Sequence, residues 1–214
     1  MILWTIQDEK VYENILKTGV YRCDLDRSIM KEWKPKYDWL VSQMMKRIGE
    51  KPAGVEYPVW ACYQWEGTRK RPDIRCERWR NGWKGERFAC MEIEIPDKDV
   101  LLSDFDDWSM ILNNGLLSIT EEEDTELEQK YNYLSEQDKK MMKERNWERV
   151  FDLTPVDNEW VVRGDSIQAT FWELRKDQIR SVRMFTAATP KPKDQEDSKD
   201  ENMAGRLTPG TGRI

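Results

Sequence analysis

The apolar residues change period along this chain in an order that restricts its fold. Ile2-Leu3-Trp4-Thr5-Ile6 is rich in β-formers and reads as an early strand. Val11, Tyr12, Ile15 and Leu16 then recur at helical spacing, so a helix capped by Asp8 runs to about Lys17, with Gly19 as its stop. A second stripe, from Tyr37 through Leu40, Met44 and Ile48, predicts a helix from near Pro35 to Ile48. Strand composition returns at Tyr57-Pro58-Val59-Trp60-Ala61-Cys62-Tyr63-Gln64-Trp65, and Phe88 to Pro96 alternates apolar and acidic residues. Ser103 or Asp104 then caps a short helix carrying Trp108, Ile111 and Leu112. Residues 121–145 run from acidic to basic, the order a helix dipole favours, which predicts a solvated helical periphery. Residues 166–172 and 179–185 both read as strands. Helices thus sit between one early strand and a later group of strands, without regular strand–helix–strand alternation. That order predicts an α+β fold, a mixed or antiparallel sheet with peripheral helices, rather than a doubly wound parallel sheet.

Residues 1–185 contain all of these segments and have the length of a single α+β domain. Residues 186–214 hold Pro, Gly, Lys and acidic residues with no aromatic side chain, a composition that cannot offset the entropy of ordering. A disordered tail is expected there. No apolar run approaches the roughly 20 residues of a spanning helix, and the first residues lack the pattern of a signal peptide. The expectation is a cytoplasmic protein without membrane contact.

The chain contains no histidine. Ser-His-Asp and Cys-His catalysis, H-E-x-x-H zinc sites and imidazole proton shuttles are therefore excluded, leaving carboxylates, Lys, Tyr or Cys for proton transfer. With 35 Lys and Arg against 41 Asp and Glu, the net charge of -6 argues against a wholesale coating of nucleic acid or anionic membrane, while permitting a local basic face. Cys23, Cys62, Cys76 and Cys90 are scattered singly, without a C-x-x-C pair, so reduced and mostly buried thiols are expected and no metal. The 11 Trp, 7 Tyr and 5 Phe imply either an aromatic core or aromatic faces for flat rings, with core packing the default for any one Trp.

Three groups of residues could carry chemistry. In residues 69–87, Arg69, Lys70, Arg71, Arg75, Arg78, Arg80, Lys84 and Arg87 interleave with Trp79 and Trp83, opposed by Asp73, Glu77 and Glu86; guanidinium forks grip phosphates and indoles stack on bases. The bland alternative is a solvated loop whose Arg stems lie over Trp rings. Ser103 and Asp104 open an acidic block at a strand end, where carboxylates hold a polar ligand or simply cap the next helix. Thr5 and Gln7 share one face of the first strand, while Tyr63 and Gln168 fall in two other strands. A buried Gln168 must either complete a structural network or face a cleft.

The blocks Leu3-Trp4-Thr5-Ile6-Gln7, Tyr37-Asp38-Trp39-Leu40, Tyr57 to Trp65, Val100 to Trp108 and Ile167 to Leu174 together resemble a bacterial family catalogued as domain of unknown function 3841. The resemblance spans nearly all of residues 1–185 and implies no activity. A more distant likeness is to the ADP-ribosyltransferase superfamily, especially the DNA-modifying DarT toxins. Thr5 and Gln7 followed by Ile15-Leu16-Lys17-Thr18-Gly19 is similar to that superfamily's first strand and helix, Ser103-Asp104 to its Ser/Thr-Asp-Gly block, and Gln168 stands where its catalytic Glu does. This likeness implies an ADP-ribosyltransferase-like fold and a cleft for NAD or an ADP-ribose-like nucleotide, with Gln168 and Tyr63 at the catalytic position. Thr5, Gln7, Ser103 and Asp104 would line the cleft, and Arg71 and Arg75 would contact phosphate.

Neutral Gln168 lacks the charge that supports an oxocarbenium-like transition state. The likeness therefore implies a weakened or repurposed transferase, a nucleotide-binding pseudoenzyme, or an enzyme drawing a carboxylate from Glu173 or Asp104. The alternative is a non-catalytic module that binds nucleic acid or a protein partner through residues 69–87, in phage defence or counter-defence.

Overall fold

The computed structural model describes residues 1–23, 33–80 and 84–188. Strand β1 (Ile2–Asp8) runs into helix α1 (Glu9–Thr18), where Asp8 accepts the Lys10 N–H and Gly19, at φ 84°, takes the left-handed turn that ends the helix. After β2 (Val20–Tyr21) come α2 (Lys34–Ile48), with Pro35 in its first turn, and β3 (Val59–Gln64). The basic stretch folds in part as a short helix, α3 (Ile74–Arg80), before β4 (Arg87–Glu94) and β5 (Leu101–Asp104). Helix α4 (Phe105–Leu112) begins directly at the end of β5. The acidic-to-basic region divides into α5 (Glu121–Asn132) and α6 (Glu136–Trp147). It breaks at Ser135, whose hydroxyl accepts from the Asp138 N–H and restarts the helix. Strands β6 (Val156–Asp157), β7 (Val162–Arg163), β8 (Ile167–Phe171), β9 (Leu174–Arg175) and β10 (Ile179–Thr186) complete the order.

Six strands form the central sheet in the order β10-β4-β1-β3-β8-β5, and every neighbouring pair is antiparallel. The fold is α+β, and of the two pairings the sequence left open the sheet is antiparallel. On one face, Leu3, Ala61, Met91, Ile93, Ala169 and Phe171 pack with Ile15 of α1. On the other, Leu101 and Trp60 meet Tyr37, Leu40, Met44, Trp108 and Ile111 from α2 and α4. A smaller cluster of Ile6, Cys90 and Phe185, with Ile74 and Phe88 against it, closes the far end of that second face.

The Trp residues mostly serve the second core. Tyr37 and Trp108 meet edge to face at 5.5 Å, the Trp60 and Trp108 rings are tilted at 39° and 5.2 Å apart, and Trp39 lies between Trp147 at 5.6 Å and Phe151 at 5.9 Å. Helix α5 buries none of its residues and α6 only Trp147, which matches a solvated periphery. Asn146 ties α6 to the body by bonding both the N–H and the carbonyl of Leu117, at 2.6 and 2.9 Å.

The first three residues of the expected tail, 186–188, are described. Thr186 is still paired in β10, Ala187 is buried and bonds Glu86, and the Ala188 N–H bonds Arg78. Backbone pairing holds these residues although their side chains offer little area. The remainder of the expected tail, 189–214, lies outside the described residues, as do Asn81 to Trp83 of the basic stretch. Among the described residues no helix is long and apolar enough to cross a membrane.

Candidate functional site

Register places one row of side chains across the second face of the sheet. Glu92 of β4 lies opposite Trp4 of β1, Trp4 opposite Cys62 of β3, Cys62 opposite Gln168 of β8, and Gln168 opposite Ser103 of β5. Facing residues on paired strands point the same way, so all five share that face. The row is polar inside an otherwise apolar surface. The Trp4 indole donates to Glu92 at 3.3 Å, whereas Gln168 Nε2 and Ser103 Oγ are fully buried and have no hydrogen-bond partner. The buried Nε1 of Trp60, two residues along β3 from Cys62, is also without one. Buried donors left unpaired cost about 1–3 kcal/mol each, and none of these three residues lines the cavity that opens beside them.

A cavity of about 270 Å³ opens over the Trp4–Cys62 end of the row. Trp4, Ile6 and Cys62 form its floor, and Trp65 with the segment Lys70 to Asp73 forms its rim. Cys76 and Glu77 of α3 line it from above, with Glu77 buried. Local chemistry explains the rim. After β3 the chain turns back through Trp65 and Thr68, which exchange backbone hydrogen bonds at 3.1 and 3.0 Å. Gly67 supplies the positive φ of 66°, and a side chain there would stand 3.1 Å from Asp165. Gln64 donates to the carbonyls of Gly164 and Asp165 at 3.0 and 3.2 Å, fixing the turn against the start of β8. Asp73 starts α3 by accepting the Arg75 N–H, and the Arg75 guanidinium holds its carboxyl down at about 2.

Burial pushes the Cys62 thiol up to about 12, with the nearby Glu77 charge adding to the effect, and Cys90 is pushed up to about 11 by the same two causes. Both stay protonated at neutral pH, so neither is an activated nucleophile. Among the described residues no group of three or more Cys, Asp and Glu gathers into a metal-binding cluster.

The residues singled out from sequence separate into two faces. Gln168 and Ser103 stand side by side on the cavity face, and Arg71 lines the cavity. Thr5 and Gln7 point to the opposite face, where Gln7 Nε2 donates to Thr5 Oγ1 and Thr5 donates to the Trp60 carbonyl, both at 2.9 Å. Tyr63 packs against that same opposite cluster, with the Arg69 guanidinium 4.0 Å above its ring. Thr5, Gln7 and Tyr63 therefore do not meet Gln168 in one cleft. Arg75 is bound to Asp73 at 2.6 Å.

Asp104 caps α4 through the N–H groups of Asp106 and Asp107 and accepts the buried Gly164 N–H at 2.7 Å, which commits its oxygens to structure. Glu173, the other replacement carboxylate, is engaged with Arg22 at 3.1 Å. Sequence reasoning did not single out Trp4, Cys62, Trp65, Lys70 or Glu77 as individual site residues. The available signal was Glu77, an acidic residue within a basic run, and the alternation that sets Trp4 against Thr5.

The basic segment has internal uses for several cations. Arg69 donates to the Ile2 carbonyl at 3.2 Å besides covering Tyr63, Arg75 holds Asp73, and Arg87 pairs with Glu9 at 2.9 Å. Among the described residues Lys70 and Arg71 are the cations that line the cavity, beside the carboxylates Glu66, Asp73 and Glu77.

The fold and the site together define an α+β protein built on one antiparallel sheet, with a small mixed-charge, indole-lined cavity on one sheet face. The chain belongs to the family described as Domain of unknown function (DUF3841), whose model matches residues 2–180. Neither the curated proteins nor the solved structures yield a match to the chain.

Proposed function

We propose that the protein binds NAD or a related ADP-ribose-like nucleotide in the cavity over Trp4 and Cys62, as an ADP-ribosyltransferase-like protein whose catalytic side is weakened or repurposed. The observation that carries this reading is the coincidence, on one sheet face, of an indole-lined cavity, two cations at its rim, and the buried unpartnered amide and hydroxyl of Gln168 and Ser103. Indole rings offer a surface for a flat base, and Lys70 and Arg71 offer charge for phosphate. At about 270 Å³ the cavity takes one ring and its neighbouring groups, so the rest of a dinucleotide would extend out past the rim. A carboxylate at the Gln168 position is missing, and Asp104 and Glu173 have other partners, which favours binding over turnover.

Calorimetric titration with NAD and ADP-ribose tests this. Saturable binding below millimolar concentration is expected, weakened at least tenfold by Arg71→Ala and measurably by Gln168→Ala. No heat of binding at millimolar ligand sinks the reading. Nicotinamide release in the presence of DNA, RNA and protein acceptors reports turnover separately.

A further inference from the structure

Strand β10 is the outermost strand of the central sheet on the β4 side, and among the described residues no strand pairs with its other edge. The direction of its backbone groups follows from its far end. The Ala187 N–H donates to the Glu86 carbonyl at 2.8 Å, in step with the register that sets Thr186 opposite Arg87. Hydrogen-bonded and non-hydrogen-bonded pairs alternate along an antiparallel ladder. Ser181, Arg183 and Phe185 therefore turn their N–H and C=O groups to β4, and Val182, Met184 and Thr186 turn theirs outward. Edge strands are commonly blunted by proline, bulges or charge. Here the bulge lies at the start, between Ile179 and Ser181, and from Val182 to Thr186 there is no proline and Arg183 is the one charged residue. Met184, in the middle of that run, is 37% exposed.

We propose that this edge pairs with the same edge of a second copy of the chain, antiparallel about a two-fold axis through Met184, so that the two sheets become one. An axis perpendicular to the sheet keeps each side chain on its own face, and the pairing must then centre on a residue that meets itself. Centred on Arg183, it sets two guanidinium groups directly against each other. Centred on Val182 or earlier, it runs through the bulge and into the turn of Lys176–Gln178. Centred on Phe185, it requires Ala188, whose N–H is held by the Arg78 carbonyl, to pair with Val182. Centred on Met184, it exchanges backbone bonds at Val182, Met184 and Thr186 and sets no like charges opposite. Arg183 then faces the Phe185 ring of the other copy, a favourable cation–aromatic contact. The same axis leaves the cavities of both copies open on one side of the joined sheet. The pairing depends on no ligand and stands or falls separately from nucleotide binding.

Light scattering on the full chain from about 5 to about 300 µM tests this, because an edge contact is small for a stable interface and weak association is expected. The mass should rise from 25.6 kDa toward twice that value. Met184→Lys opposes two ammonium groups at the axis and should move the transition to about tenfold higher concentration or more. Met141→Lys, at an exposed methionine of α6, should leave it in place. Wild-type urea midpoints for both variants exclude a folding defect. In a Cys76→Ser background, which removes the exposed native thiol, Met184→Cys treated with glutathione disulfide should cross-link to its own copy faster than Val182→Cys, since facing Cα atoms in such a pair lie about 5.5 Å apart. A monomer at every concentration overturns the proposal, as does a dimer that Met184→Lys leaves intact. Faster cross-linking at position 182 overturns the register.

Discussion

Asp107 shows how a single residue reports on the packing behind the site. Its carboxyl is buried 2.8 Å from the Arg163 guanidinium, and burial pushes it up from 3.8 to about 6, against the pull of Arg163 and with the Asp104 charge reinforcing the shift. A carboxyl raised in the folded state binds protons that the unfolded chain has already released. Its contribution to stability is therefore full below about pH 4 and is lost as pH rises through about 6. Arg163→Met removes the opposing cation and leaves a buried charge, which costs about 3–5 kcal/mol when it must stay ionised. Urea unfolding at about pH 5 and about pH 7.5 should show a smaller deficit for the variant at the lower pH, where Asp107 takes up a proton instead. An equal deficit at both values contradicts the assignment of the shift to burial.

At the scale of elements, β10 closes the sheet on the β4 side. It pairs with β4 from Ile179 opposite Ile93 to Thr186 opposite Arg87, and Phe185 stacks on Phe88 at 5.5 Å. A chain stopped after Gln178 exposes the β4 edge and uncovers the Ile6–Cys90 cluster. It should lose its cooperative urea transition or aggregate on size exclusion; a wild-type midpoint would show that β10 is dispensable. Most elements were legible because local chemistry fixes them, as with the Asp8 and Asp104 caps, the Gly19 stop and the strand alternation in Phe88 to Pro96. Helix α3 was not, because residues 69–87 carry no apolar stripe and the helix is held by the Asp73 start and by packing of Ile74. The site was half legible for a related reason. Alternation sets Thr5 and Gln7 together, yet both faces of β1 are apolar-rich, so only the long-range packing of α1 on one side shows that the cavity lies on the Trp4 side.

For the molecule as a whole, the aromatic content divides by position. Among the described residues, Trp39, Trp60, Trp108, Trp147 and Trp172 build the core under α2 and α4, and Trp4 and Trp65 line the cavity. The most direct measurement is a crystal structure of the full chain grown with ADP-ribose. The expected result is the ligand over Cys62, its phosphates beside Lys70 or Arg71, on the face that carries Gln168 and Ser103. Ligand on the Thr5–Gln7–Tyr63 face, or a saturated crystal with that cavity empty, would contradict it.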